Sequence, residues 1–260
     1  MGESRVPATK ERESFWFSFL FLLNFRHYFI SMTDLPGKAI HDFYFQENKK
    51  RLFVHDRFGP KVEMPVSTYF RNATRMPQLE RIALDRCLGN ILDIGAGAGT
   101  HSLELQNRGF QCTALEISPK ACEVIAAKGV ENVVCEDFFK FKGEQFDTLL
   151  LLMNGIGICA TVEGFRTFLK KAKSLLKPNG KLVFDSCDIS YMYEDIPFPD
   201  HYYGEVECRY EYHGEFTDWF GWLYIDQHTM KSVAEEEGWS SEIVFEDDRN
   251  QYLAELYLDK

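Results

Sequence analysis

From position 90 onward short apolar segments alternate with longer amphipathic ones, and this alternation constrains the fold more than any other feature of the chain. Segments 90–94, 110–117, 130–135 and 146–153 have strand character, and the unbroken apolar run at 149–152 is that of a strand buried on both faces. Helical segments at 100–108, 119–128 and 162–176 separate them, the first two closing at Gly109 and Gly129. Ser118-Pro119 supplies an N-cap followed by proline at the first helical position. Lys177-Pro178-Asn179-Gly180 reads as a turn feeding a fifth strand at 181–185. Repeated β-α-β units with short connections predict a doubly wound α/β fold, a parallel sheet covered by helices. The chain end departs from that rhythm. A helix at 227–237 stops at Gly238, and strands at 241–246 and 252–258 flank the polar turn 247–251, which predicts a terminal antiparallel hairpin.

The main domain is thus expected at 90–260, preceded by an N-terminal helical segment at 32–89. Residues 33–75 are mixed and aromatic, with turn signals at Phe58-Gly59-Pro60, and 78–88 places Leu79, Ile82, Ala83 and Leu84 at helical spacing before Gly89. Further upstream, the apolar run at 15–25 is shorter than the roughly 20 residues that a membrane span needs. Its flank Lys10-Glu11-Arg12-Glu13 is charge-balanced and no small-residue cleavage site follows, unlike a signal peptide. Met32 precedes the polar Thr33-Asp34-Leu35-Pro36-Gly37. Residues 1–31 are accordingly expected to be an over-extended start or a dispensable arm, the alternatives being a membrane-associating or a domain-packing helix.

Of 260 residues, 29 are Lys or Arg and 40 are Asp or Glu, a formal net charge of −11. The average field repels polyanions, so no nucleic-acid partner is expected, and no membrane partner either. The 7 cysteines form no CxxC pair and no Cys/His ligand spacing. Neither a disulfide framework nor a metal site is indicated, and a reducing cytoplasm fits.

The first strand runs into Asp93-Ile94-Gly95-Ala96-Gly97-Ala98-Gly99, where glycines let the backbone turn tightly and approach a ligand at a helix N-terminus. Glu116 ends the second strand about 20 residues on, where a carboxylate can accept bonds from both hydroxyls of a ribose. Asp137 ends the third. The three strand ends converge on one crevice. A nicotinamide fingerprint starting at Gly95 would need glycine at position 100, where Thr100 stands. Asp93, two positions before the first glycine, would repel a pyrophosphate and favours a ligand with an ammonium group.

The glycine loop ILDIGAGAG, the strand-end acid in ALEIS, the pair Glu136-Asp137, the segment FDTLLLLMNGIG and the segment LLKPNGKLVF together resemble the class I S-adenosylmethionine-dependent methyltransferases. The resemblance covers about residues 76–260 and implies a seven-stranded, mostly parallel sheet closed by the C-terminal hairpin. It implies S-adenosylmethionine as cofactor, with Asp93, Gly95, Ala96, Gly97 and Gly99 around its methionine part, Thr100 and His101 near the carboxylate, Glu116 on the ribose and Ile117 on the adenine. Asp137 would meet the adenine amino group, Phe138 would line its pocket, and Asn154 would stand where donor and acceptor meet. Tyr69 and Arg71 can close the pocket from the N-terminal side. The family's Asp/Asn-Pro-Pro-Tyr signature is absent, which speaks against base-directed DNA methylation. Substrate choice is expected to rest on an inserted β hairpin at 186–225, pairing 205–212 with 215–225, whose aromatics include Tyr191, Tyr203 and Trp219. His201, His213 and His228 are candidate bases. The expected activity is methyl transfer to a small-molecule acceptor, the alternative being a non-catalytic cofactor-binding partner subunit. The acceptor atom and the oligomeric state stay open.

Overall fold

The computed structural model describes residues 34–46, 50–57 and 59–259, and the expectation for residues 1–31 lies outside them. Among the described residues the chain begins with helix α1 (Leu35–Gln46), strands β1 (Leu52–Asp56) and β2 (Val62–Met64), two single-turn 3-10 segments, and helix α2 (Gln78–Arg86). The alternating region then forms β3 (Asn90–Ile94), α3 (Thr100–Asn107), β4 (Gln111–Glu116), α4 (Pro119–Ala127), β5 (Asn132–Cys135), β6 (Phe146–Leu151), α5 (Val162–Leu175) and β7 (Leu176–Cys187). The remainder comprises β8 (Glu205–Tyr212), β9 (Glu215–Phe216), β10 (Phe220–Leu223), α6 (Gln227–Glu236), β11 (Trp239–Glu246) and β12 (Gln251–Leu258).

The main sheet has the order β11-β12-β7-β6-β3-β4-β5. Strands β3 to β7 run parallel, while β12 lies antiparallel to β7 and β11 antiparallel to β12. Chain progression reverses between β3 and β6, so the loops after these strands open into one crevice at the carboxyl edge. Local signals account for the helices. The Ser118 hydroxyl accepts from the Ala121 N–H at 2.9 Å and starts α4, and Thr161 accepts from the Gly164 N–H at 2.9 Å and starts α5. Helix α5 repeats apolar residues at i, i+3, i+4 and i+7, which sends Phe165, Phe168, Leu169 and Ala172 into the core at 0% exposure. Burying each Phe contributes about 1.5–3 kcal/mol. The turn expected at Lys177-Pro178-Asn179-Gly180 occurs inside one long strand: Phe146 faces Leu176 but Thr148 faces Lys181, so these four residues bulge out of β7.

The N-terminal stretch differs from the expected helical segment at 32–89. It carries α1 and α2, but β1 and β2 join a second sheet of order β10-β8-β1-β2, with β9 also beside β8. Leu52 pairs with Tyr212 and Asp56 with Cys208, all antiparallel. Local periodicity cannot reveal such a strand, because it is short and its partner lies more than a hundred residues downstream; His55 and Glu211, bonded at 2.6 Å, are 156 positions apart. The expected hairpin within 186–225 forms, but its second arm is broken: β9 pairs with the end of β8, residues 217–219 leave the ladder, and β10 resumes it.

One face of the second sheet is turned to the main domain. Leu52, Tyr210 and Tyr212 pack with α1, Val124 of α4 and Ala98 of the glycine loop. Phe220 stacks on Tyr210 with centroids 5.2 Å apart and meets Trp222 edge-on. The opposite face carries His55, Arg209, Phe216 and Trp219 in mutual ring and cation contacts. No helix among the described residues is long and apolar enough to cross a membrane.

Candidate active site

The crevice is built from the loops after β3, β4, β6 and β7. After β3 the chain turns through three left-handed glycines, Gly95 at φ 71°, Gly97 at φ 59° and Gly99 at φ 67°, the last standing immediately before α3. Gly95 is exposed, and no heavy atom comes within 4 Å of the position a Cβ would take. That open concavity beside backbone N–H groups is a cradle which a side chain would fill. A Cβ on Gly97 would approach the Tyr69 ring to 3.1 Å, so Tyr69 lies against the glycine loop. Thr100 anchors this contact: its hydroxyl bonds the Tyr69 carbonyl at 2.5 Å and accepts from Lys128 Nζ at 2.9 Å. Lys128 also donates to the Ala98 carbonyl at 2.7 Å, and burial pulls its pKa down to about 8.

Glu116 closes the next side. One carboxylate oxygen accepts from the Gly97 N–H at 2.8 Å and the other from the Ser118 N–H at 2.9 Å, so it ties the glycine loop to the start of α4. Burial raises its pKa against the pull of those donors. Ile117 beside it is 45% exposed, a flat apolar surface at the rim. Asp137 and Phe138 follow β5, and of the two Phe138 is arranged otherwise than the sequence suggested. Asp137 accepts from its own loop at the Phe139 N–H, 3.0 Å away, and pairs with Lys140 at 3.5 Å. Phe138 is 5% exposed and stacks on Phe168 in the core at 4.7 Å, so its ring lines no opening.

Behind the glycine loop lies a buried polar cluster. Glu80 of α2 pairs with Arg71 and accepts from His101 at 3.0 Å. Asp93 is 2% exposed and accepts from Ser102 at 2.5 Å, so its carboxylate is turned to α3 instead of the opening. Burial raises the pKa of Asp93, with His101 and Ser102 opposing. Nε of Arg71 is buried without a partner, an orphaned donor on a cation at the edge of the site.

The loop after β6 holds two consecutive non-glycine residues in the left-handed region, Met153 at φ 60° and Asn154 at φ 56°. Each such residue costs about 1–3 kcal/mol unless its surroundings hold it. Asp185 of β7 does so, both oxygens accepting from the Asn154 N–H at 3.0 and 3.1 Å, with a further bond from Gln251 at 3.0 Å. The Asn154 side chain donates to the Leu223 carbonyl at 3.3 Å and accepts from Ser186 at 3.2 Å. Sequence reasoning missed Asp185, Ser186 and Glu80, whose roles depend on neighbours remote in the chain.

The second sheet roofs this crevice. Gly157, in the 3-10 turn after Asn154, lies under the Trp222 indole, where a Cβ would come within 2.1 Å of the ring. Gly157→Ala is therefore expected to destabilise the protein by about 1–3 kcal/mol in urea denaturation; unchanged stability would contradict the packing. Burial drives the pKa values of Tyr69 and Tyr210 up, with the Glu116 charge a lesser contributor to each. Of the aromatics singled out for the substrate, Tyr203 donates to Asp188 at 2.8 Å just past β7, and Tyr191 is exposed nearby. Trp219 is a correction: it sits on the far face of the second sheet, with Arg209 4.7 Å and Arg57 5.1 Å from its ring. The break at 217–219 carries it to that face. His201, His213 and His228 are exposed. Only His101 among the singled-out histidines joins the buried cluster.

A family model described as a methyltransferase domain matches residues 92–184. A S-adenosylmethionine-dependent methyltransferase from Bacteroides fragilis, crystallised with S-adenosyl-L-homocysteine, is 39% identical and superposes with a TM-score of 0.83, covering 88% of this chain and 98% of its own. Curated relatives match more locally. The mitochondrial ubiquinone biosynthesis O-methyltransferase of Schizosaccharomyces pombe is 29% identical over 126 residues, 45% of this chain and 46% of that protein. The human EEF1A lysine methyltransferase 2 is 28% identical over 133 residues, 44% and 52% respectively. The chain spans about half the length of these curated relatives. It belongs to the S-adenosylmethionine-dependent methyltransferases, with a class I Rossmann-like fold, and S-adenosylmethionine is the cofactor of that family.

Proposed function

We propose that this chain transfers the methyl group of S-adenosylmethionine to a small-molecule acceptor held between the carboxyl edge of the parallel sheet and the second sheet. One observation carries the reading: a folded β roof, assembled from two distant chain segments, packs against the glycine loop and the turn after Asn154. Such a roof suits a compact acceptor better than a duplex or a protein surface, and the net charge of −11 disfavours a polyanion. The relatives' names span a quinone pathway and a protein lysine, so relationship alone leaves the acceptor class undecided.

The residues present fit the cofactor. The open space at Gly95, with the backbone of Ala96 and Gly97, takes the methionine part, and the orphaned Arg71 Nε–H supplies a donor for its carboxylate. The Glu116 carboxylate has acceptor sites beyond those used by Gly97 and Ser118, enough for ribose hydroxyls. Ile117 offers the adenine an apolar face, and Asp137 stands at the far rim. Asp93 attracts the ammonium through the loop, without contact. Gly99 and Thr100 shape the loop and its anchor. When bound, S-adenosylmethionine supplies an electrophilic methyl on a positively charged sulfur. The protein's part is to hold the acceptor in line, an effect worth up to about 7–11 kcal/mol. Asn154, clamped by Asp185, fixes the floor on which the acceptor rests, with Tyr69, Tyr210 and Trp222 around it. A cytoplasmic location fits seven thiols without a pairing pattern.

Calorimetry on the full chain tests the reading. S-adenosylmethionine and S-adenosylhomocysteine are expected to bind with micromolar affinity and NAD not at all, and S-adenosylhomocysteine is expected to form with small amine, hydroxyl or thiol acceptors. Binding of NAD alone would overturn the cofactor assignment, and product formation only with protein or DNA would overturn the acceptor class.

A further inference from the structure

Two thiols flank the Glu116–Ser118 turn. Cys122, in the first turns of α4, is buried, and its sulfur bonds the Glu116 carbonyl at 3.5 Å. Cys135 ends β5, is exposed, and its sulfur points to the Ile117 carbonyl at 3.9 Å. The parallel register sets Cys135 opposite Glu116. The two sulfurs thus approach adjacent carbonyls of one short turn, and the Glu116 carbonyl that receives the Cys122 thiol also accepts from the N–H of Glu136, the residue after Cys135, at 3.0 Å. No other use for the pair emerges from the crevice.

We propose that Cys122 and Cys135 form a reversible oxidation site that closes to a disulfide under hydroperoxide and thereby lowers affinity for the cofactor. The second half of this statement rests on the reading that Glu116 and Ile117 hold the ribose and adenine. Exposed Cys135 is the sulfur that oxidant reaches. As thiolate, its proton given up to solvent, it attacks one oxygen of hydrogen peroxide; the O–O bond breaks, the attacked oxygen stays on sulfur with its hydrogen as the sulfenic acid, and the departing hydroxide takes a proton back from solvent to leave as water. The Cys122 sulfur then attacks the sulfenic sulfur, the S–O bond breaks, and the departing hydroxide takes the Cys122 proton as a second water. Two electrons leave the sulfurs and reduce one peroxide. Burial, the neighbouring thiol and the Glu116 and Asp34 carboxylates keep Cys122 protonated, which suits the resolving partner and not the first to react.

Closure brings the two sulfurs to a bond of about 2.0 Å. The first turns of α4 and the end of β5 must draw together across the intervening turn. That turn includes Ser118, whose N–H holds Glu116 at 2.9 Å and whose hydroxyl caps α4 and donates to Asp34 at 2.6 Å. A shift there moves the ribose-binding carboxylate and the adenine surface together.

The full chain, treated with hydrogen peroxide and then digested, is expected to yield a peptide linking Cys122 to Cys135, and its affinity for S-adenosylhomocysteine is expected to fall about tenfold. Dithiothreitol should restore both. Cys135→Ser should keep the reduced protein's affinity and lose the peroxide response. Absence of the linked peptide, a linked protein of unchanged affinity, or a full peroxide response in Cys135→Ser would each overturn the proposal. Reduced Glu116→Gln separates the two readings: unchanged affinity there defeats the cofactor site itself, whatever the thiols do.

Discussion

Replacing Glu116 with alanine is expected to weaken S-adenosylhomocysteine binding by about 1–3 kcal/mol, roughly five- to 150-fold, while the protein still folds. Glu116 is the one strand-end acid whose carboxylate lies between the glycine loop and the Ile117 rim, already accepting from Gly97 and Ser118. A hydrogen bond to an ionised acceptor contributes more than one between neutral groups, and two hydroxyls are at stake. The fold tolerates the change better than the ligand does. Burial already disfavours this carboxylate's charge, so its removal relieves a penalty while freeing two N–H groups beside an open crevice that water can reach. Asp93→Ala reverses the balance: with its carboxylate bound to Ser102 and next to His101, its loss should cost more in stability than in affinity. Titration calorimetry with circular dichroism on both variants reads the two effects separately, and a folded Glu116→Ala protein of wild-type affinity would dismiss the site.

Stability without ligand should fall as pH rises from about 5 to about 7, by about 2–3 kcal/mol from Asp185 alone. Burial pushes the Asp185 pKa from its ordinary 3.8 to about 7, against bonds from Asn154 and Gln251. A carboxyl with a raised folded pKa binds its proton more tightly when folded. The stability it lends is complete below the unfolded pKa and is lost as pH climbs through the folded one. Asp93 and Glu116 are shifted the same way by burial. Opposing groups act elsewhere: the lowered carboxyls Glu123, Asp147, Glu211 and Asp226 finish titrating below their ordinary values of 4.5 and 3.8, and Lys128 begins near 8. Urea midpoints across this range would decide the matter. A flat or rising profile, or an Asp185→Asn variant with an undiminished slope, would show that Asp185 does not carry the effect.

The parallel core was legible because its signals are local. Strand β3 falls where apolar residues at 90–94 precede glycines, α4 begins at its Ser-Pro signal, and the hairpin of β11 and β12 flanks its polar turn. The second sheet was half legible. The alternation in β8 stood out over eight residues, whereas β1 has five, pairs over only three with short β2, and gains its five-residue ladder from β8. In the site, the glycine loop and Glu116 could be placed because a single strand-turn-helix unit fixes each. Asp185 could not, since its function is to accept from Asn154, 31 positions earlier. Trp219 was misassigned because alternation fails where the ladder breaks, and Phe138 because an aromatic next to a strand-end acid packs inward as readily as outward.

The interleaving of β1 with β8 also orders events during synthesis. With 156 residues between His55 and Glu211, and elongation at about 5–20 residues per second, β1 waits about 8–30 seconds for its partner strand to be made. Until then its edge is unpaired and its apolar face uncovered, a period in which a chaperone or a neighbouring chain competes for it. The same interleaving limits transplantation. Exchanging 186–225 alone with a homologue would replace β8 but leave β1 behind, so a workable graft of acceptor preference must carry both segments.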